Sequence, residues 1–598
     1  MLLIVQQLCC SVFTLSFLLH LPSAVESFLR EEKNPGGITN SAALFEKYFD
    51  WKLKTWPTWA SMKGYHDYDS EWEDLSLSGF EKRRSDIKDF YEEVQNILSD
   101  SESTDDNHFL NVLKWELGIA LEGYQWKHFV FSNSNFLSGI FREIPLVFSA
   151  RGCLRWTHEN NTIANLKKLK KVPRLLIQVH DLLSYGMHMG LSYSAEAFDR
   201  IDFDNINQNQ LKEMFGRSPN RALKKEAFEV IDEQVIPALQ YLGNFIQESY
   251  QVRSHPGISS LPNGKERYEA ILKYHTNIED VTAHQVHEMG LKEVASIRAD
   301  FLSDIKRVLR IQSLGNMTVE DIFRKAREHP SMKYKTEDQL LDTHKKMVYE
   351  KIYPKLKNIF HQSVLDELAL VNVISDSKTG LSYYKTSSFD GSRNGSFIIG
   401  TQVLGNQLKF TAMPLSLHEA VPGHHLQFSY SQGQKFPKFL QNSLTPDFAA
   451  IPGQLGSPTS FIEGWGLYSE FLGLEMGLFE ENPLQLIGYY SFSLLRASRL
   501  VVDTGLHGLG WSRHKAIRYL DQNTGFTHSA NSFSIDRYIV WPGQATSYKI
   551  GEMKIRDLRV SLSETLSDRF DIKDFHSAVL DCYGPLHLLE RCIRSKME

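Results

Sequence analysis

The residues with the strongest chemical character lie in the segment Leu415-Ser-Leu-His418-Glu419-Ala-Val-Pro422-Gly423-His424-His425-Leu-Gln427. Imidazole nitrogens bind Zn2+ at about 2.0–2.1 Å, and a Glu beside a ligand histidine can take a proton from metal-bound water. The familiar arrangement sets two histidines four apart on one helical face. Here they are six or seven apart. On a regular helix, at ~100° per residue, His424 falls ~240° round from His418, and His425 returns to the same face ~10.5 Å further along the axis. Neither pair closes on one ion if the helix is straight. Pro422 removes the N–H that would bond the His418 carbonyl, and Gly423 admits unusual backbone angles, so a break is expected between the histidines. A broken helix leaves both His424 and His425 open as second ligand.

A third donor is offered by Phe461-Ile-Glu463-Gly464-Trp465-Gly466-Leu467-Tyr468-Ser-Glu470. Two His and one Glu, with water in the fourth position, form a known catalytic zinc set. Tyr548 and Arg537 lie in a polar-aromatic segment and are candidates to stabilise the oxyanion formed when water attacks a carbonyl. Arg393 and Tyr384 are candidates to bind a substrate carboxylate. Asp503 and His507, four apart, suit a pair supporting the centre from behind. Structural hydrogen bonding is the competing role for Tyr548 and Arg537, a glycan on neighbouring Asn394 would argue against Arg393 and Tyr384, and a local helix pairing is the alternative for Asp503 and His507. The sequence contains no Gly-x-Ser-x-Gly elbow, phosphate loop or Gly-x-Gly-x-x-Gly cofactor turn.

Taken together, these segments resemble the bacterial and eukaryotic family known as domain of unknown function 885. The same resemblance extends to Tyr383-Tyr384, Asp390-Gly-Ser-Arg393-Asn-Gly395, Arg499-Leu-Val-Val-Asp503-Thr-Gly-Leu-His507 and the run from Arg537 to Gly551. It spans most of the chain and is densest from Tyr383 to Arg559. It implies a mostly helical fold and a metallopeptidase activity. The run Glu463-Gly-Trp-Gly-Leu-Tyr468 is similar to the third-ligand segment of gluzincin aminopeptidases, Glu-Gly-Phe-Ala-x-Tyr, which implies Glu463 as third ligand of a single zinc ion. Gly423-His424 is similar to the Gly-His of helical carboxypeptidases and oligopeptidases, which implies His424 as the second. The histidine spacing and the gap to Glu463 are both longer than in gluzincins.

The elements that must position these residues are expected to be helices. Asn165–Tyr185, Arg221–Tyr250 and Asp280–Leu309 each carry apolar residues at steps of three and four. The best strand candidate is Ser396–Leu404, at the end of a Gly/Ser/Asn-rich stretch. With no repeat and no long linker, the chain reads as mainly α: one large helical unit over 26–598, with a central cleft and a small strand element before the His-Glu helix. Hydrophobic residues at 42% and charged residues at 23% are ordinary globular values. Lys plus Arg is 66 against 72 Asp plus Glu, a net charge of −6, so no basic surplus exists for nucleic acid.

The apolar run Leu2–Leu19 and the small residues after it read as a signal peptide over residues 1–25, cleaved between Ser23 and Ser27. A membrane anchor is the alternative, at the short end of what a span needs. No later stretch approaches a span, so the protein is expected to be secreted. Asn160, Asn316 and Asn394 each head an N-x-Ser/Thr glycan sequon. Cys9 and Cys10 would leave with the signal, and Cys582 with Cys592 could form a disulfide, leaving Cys153 odd. The function expected is that of a secreted zinc peptidase acting on peptides, with Glu419 as general base. The alternatives are a non-enzymatic secreted or extracellular-matrix protein that keeps the fold, and a metal-dependent hydrolase of another amide or ester. The oligomeric state is not readable.

Overall fold

The computed structural model describes residues 38–598, leaving out 101–105, 133, 151, 204–207, 310–311, 378, 434–435, 442–456 and 481–482. The expected signal peptide, with Cys9 and Cys10, lies outside the described residues. The architecture is mainly α, with a three-stranded sheet. A dominant apolar core runs from Leu44 to Ile593, with a small second cluster around Leu506, Leu520 and Ile535, and the helices form a single large unit. Among the described residues no helix is long and apolar enough to cross a membrane.

The periodic stripes are helical, and their departures from a straight rod have local causes. Asn165–Tyr185 is split between Glu159–Lys170 and Val172–His188, because Pro173 starts a new helix where its missing N–H is harmless. Arg221 to Ser249 is continuously helical but widens by one residue per turn at 231–235, just before Pro237, and again at 245–249. The third stripe begins at Ala283. There the hydroxyl of Thr282 accepts from Gln285 N, and Gln285 Oε1 accepts from Thr282 N, a reciprocal cap.

The elements used below are α1 (Gly264–Thr276), α2 (Ala283–Leu309), β1 (Asn372–Asp376), β2 (Tyr383–Lys385), β3 (Ser396–Gly400), α3 (Ala412–Glu419), α4 (His424–Gly433), α5 (Thr459–Glu475), α6 (Pro483–His507), α7 (His528–Val540), α8 (Gln544–Leu566), α9 (Ile572–Asp581) and α10 (Leu586–Met597). The strand candidate is β3, ending at Gly400 rather than Leu404. It is central: β1 pairs with it in parallel and β2 antiparallel, with Tyr384 opposite Phe397. α3, α5, α6 and α8 form the heart of the molecule, with α6 lying along α2 and α5 along α8. Cys582, just after α9, is bridged to Cys592 in α10, with Cα atoms 5.7 Å apart. Cys153 is free and half-buried.

Candidate metal centre

The helix carrying His418 stops one residue after it. α3 ends at Glu419, and Ala420 leaves the helical region with φ −97° and ψ −105°. The chain then doubles back so tightly that Gly423 N–H donates to the Leu417 carbonyl at 3.0 Å. A Cβ on Gly423 would stand 1.9 Å from the His418 carbonyl oxygen, so only glycine allows this turn. The Pro422 carbonyl accepts from Trp465 Nε1 at 2.9 Å, which fastens the turn to α5. α4 restarts at His424, and the His418 and His424 rings end 4.7 Å apart at 84°.

Glu463 reaches this pair from α5. From Ser457 to Glu470 every residue is buried except Glu463, which is partly exposed. A helix buried on all sides is a central one, and its single break in burial falls at Glu463. α5 comes close to α8 because two glycines meet there: a Cβ on Gly464 would lie 2.5 Å from the Gly551 backbone, and one on Gly551 would lie 1.8 Å from the Ser460 oxygen. Gly466 in turn makes room for the His418 ring. Glu463 Oε2 is 3.3 Å from His418 Nε2 and 3.3 Å from His424 Nε2. One ligand atom from each of the three residues lies within 4.8 Å of the others. Two imidazole nitrogens and a carboxylate oxygen suit zinc in chemistry and number.

His425 is turned away. Its Nε2–H donates to the Ala369 carbonyl at 2.6 Å, and its Nδ1 accepts from Tyr384 Oη at 3.0 Å. Burial pulls its pKa down to about 4, so it is neutral with both nitrogens engaged. Tyr384 is therefore its partner, on β2. Arg393 donates to the carbonyls of Met62 and Thr386. The Tyr384 hydroxyl and both Nη atoms of Arg393, expected to bind a carboxylate, are thus used within the protein.

Glu419 differs from Glu463 in its surroundings. Hydrogen bonds from His418 and His424 outweigh burial and hold the Glu463 carboxyl well below the usual range. Glu419 is 8% exposed, and burial raises its pKa. Among the described residues nothing hydrogen-bonds its carboxylate. His418 is held from behind by Glu470, whose Oε1 is 2.8 Å from Nδ1 and 3.2 Å from Arg496 Nη2. Burial works against charge on His418, yet its bonds to Glu463 and Glu470 push its pKa up to about 9. A cation binding at Nε2 would displace that proton.

Tyr548, on α8, stacks against His418 with ring centroids 6.2 Å apart and 16° between planes. Its hydroxyl accepts from Arg537 Nη2 and Gln544 Nε2, each at 3.3 Å. The Arg499 guanidinium lies 4.4 Å from the Tyr548 ring centre. Asp503 and His507 do not pair with each other. Asp503 accepts from Tyr268 Oη and Gly543 N, and burial pushes its pKa up to about 7. His507 accepts from Ile258 N and donates to the Tyr538 carbonyl. The sequence does not single out Arg496, and Arg499 and Gln544 enter only as members of the resembling segments. The available signal was two arginines three apart within the otherwise uncharged run Tyr489–Val502.

Comparison with known proteins gives a family and a fold. The family described as "Bacterial protein of unknown function (DUF885)" matches residues 57–593. A candidate lipoprotein from Colwellia psychrerythraea has a similar structure, with TM-score 0.79 and 23% identity over 93% of this chain and 98% of its own. A candidate lipoprotein of unknown function from Shewanella oneidensis superposes with TM-score 0.68 and 16% identity, over 92% of this chain and 99% of its own. No curated protein matches the chain.

Proposed function

This chain belongs to the DUF885 family, and from that starting point we propose that it is a zinc-dependent peptidase working outside the cytoplasm. The observation that carries the reading is the trio His418, His424 and Glu463 within 4.8 Å, with the carboxylate of Glu419 unbonded beside it. Zinc held by these three side chains would acidify a bound water and polarise a substrate carbonyl. Glu419 takes the proton of the attacking water and passes it to the leaving amine, a role suited to a carboxyl whose burial raises its pKa. The Tyr548 hydroxyl already accepts from Arg537 and Gln544, so its own proton is free to donate to the carbonyl oxygen as charge develops there.

The proposed location has separate support. Asn160, Asn316 and Asn394 are all exposed, as glycan acceptors must be. A disulfide persists in oxidising compartments, and both structural neighbours are described as candidate lipoproteins. Expression in a secretory host should yield a product starting between Val25 and Phe28 that loses mass on deglycosylation.

The chemistry is tested with Glu419→Gln. This change keeps size and removes the base, so zinc measured in the purified protein should stay bound. Cleavage of a broad peptide library should fall by roughly 10²–10⁴-fold. A variant that cleaves as fast as wild type rejects the mechanism. A wild type that holds zinc and cleaves nothing favours a non-enzymatic protein.

A further inference from the structure

We infer that the site receives substrates bearing a free carboxylate close to the scissile bond, and that Arg499 and Arg537, on either side of Tyr548 in the contact network, are its receptors. The inference rests on the peptidase reading and narrows its substrate class.

Arg499 is 7% exposed. Its Nε donates to Tyr538 Oη at 2.7 Å, its Nη1 is buried with no partner, and among the described residues no carboxylate lies within 4.0 Å of its guanidinium. Leaving a buried charge unpaired is costly, and other arginines of this chain avoid it. Arg496, one turn earlier, also leaves Nε without a partner, but it pairs with Glu470 at 3.2 Å. Arg253, half-buried and also without a carboxylate, spends Nε and both Nη atoms on the carbonyls of His255, Ser192 and Pro256. Arg499 does neither. Arg537 is half-buried and likewise lacks a carboxylate partner, while Gln544 (2.9 Å) and Tyr548 hold its Nη2 in place.

Both cations converge on Tyr548, which stacks on the candidate ligand His418. Around the centre Glu419, Glu463 and Glu470 balance Arg496, Arg499 and Arg537. A divalent cation therefore leaves two positive charges in excess. Water that gives its proton to Glu419 adds no net charge, so a substrate carboxylate is what offsets one of the two. Guanidinium groups bind carboxylates in paired, charge-assisted hydrogen bonds. The carboxylate has two sources: the C-terminus of a peptide, or an acidic side chain next to the cleaved bond.

Zinc-loaded Glu419→Gln protein, which retains peptides uncleaved, distinguishes them. Its affinity is measured by fluorescence anisotropy for three labelled short-peptide pools: neutral with free C-termini, neutral with amidated C-termini, and amidated with one Asp or Glu. Either carboxylate-bearing pool should bind about tenfold tighter than the neutral amide, and which one does so names the source. The preference should persist after chelation of the metal, and should shrink in Arg499→Gln and Arg537→Gln. Equal binding of all pools overturns the inference. So does a preference that vanishes with the metal, or one that survives in both folded variants. Should a variant misfold, the comparison with and without metal still decides. A wild type that cleaves nothing yet keeps the preference overturns the peptidase reading alone.

Discussion

Glu470 stands behind His418, its Oε1 2.8 Å from Nδ1, on the side of the ring away from the Nε2 that meets Glu463. The same oxygen is 3.2 Å from Arg496, so the carboxylate itself is held in place. A histidine ligand oriented by such a carboxylate binds metal more tightly, and loss of the partner typically costs 10–100-fold in affinity. Glu470→Gln should therefore weaken zinc binding by about that factor in a chelator competition, with the circular dichroism spectrum unchanged. Unaltered affinity would make the contact a packing detail.

Replacing His418, His424 or Glu463 with Ala should each deplete zinc in the purified protein, measured by elemental mass spectrometry. His425→Ala should retain it, because both nitrogens of His425 are committed to Ala369 and Tyr384. Zinc lost from His425→Ala and retained by His424→Ala would reverse the assignment of ligands.

Two buried histidines give the fold an acid limit. His507 accepts from Ile258 N and donates to the Tyr538 carbonyl, while His576 accepts from Tyr468 Oη and donates to the Ile359 carbonyl. Burial pulls both pKa values down to about 3, against about 6.5 in an unfolded chain. Between those values the unfolded chain binds protons that the folded one refuses. The stability these groups contribute is therefore complete above about pH 6.5 and is lost as pH falls toward 3. Urea unfolding from pH 7 to pH 4 should show a falling midpoint. His507→Gln or His576→Gln should each remove about one proton from the slope, and an unchanged slope refutes the assignment.

The meeting of α5 and α8 is predicted to be intolerant of a single methyl group. Gly551→Ala places a carbon 1.8 Å from the Ser460 carbonyl, where backbone must move. It should cost about 1–3 kcal/mol in denaturant unfolding and lower zinc content by displacing Glu463. Gly405→Ala, where nothing lies within 4 Å of the added carbon, should stay within about 0.5 kcal/mol of wild type.

Local patterns carried the parts of this protein that depend on neighbours in sequence. The helical stripes followed from period, and the break after Glu419 from Pro422 and Gly423. What spacing could not tell was where each side chain points once the helices pack. His424 and His425 stood level until the turn swung one toward Glu463 and the other toward Tyr384 on β2. Asp503 and His507 have the spacing of a helical pair, yet each bonds across to other elements, Asp503 to α1 and the start of α8 and His507 to Ile258 and α7. β1 and β2 escaped notice because short strands beside a central β3 carry little pattern of their own. The unpaired state of Arg499 is a property of the assembled interior, and no stretch of sequence displays it.

The Cys582–Cys592 bridge is tied through one contact to the helix that carries His424. Asp581, next to the bridge, accepts the hydroxyl of Tyr430 at 2.6 Å, and Tyr430 lies on the helix that begins at His424. While the two thiols are reduced, α9 and α10 lack their covalent tie, and this anchor at the far end of the histidine helix loosens with them. Reducing the bridge should therefore weaken whatever grip the histidine helix has on a metal, a coupling read by comparing zinc affinity with and without reductant.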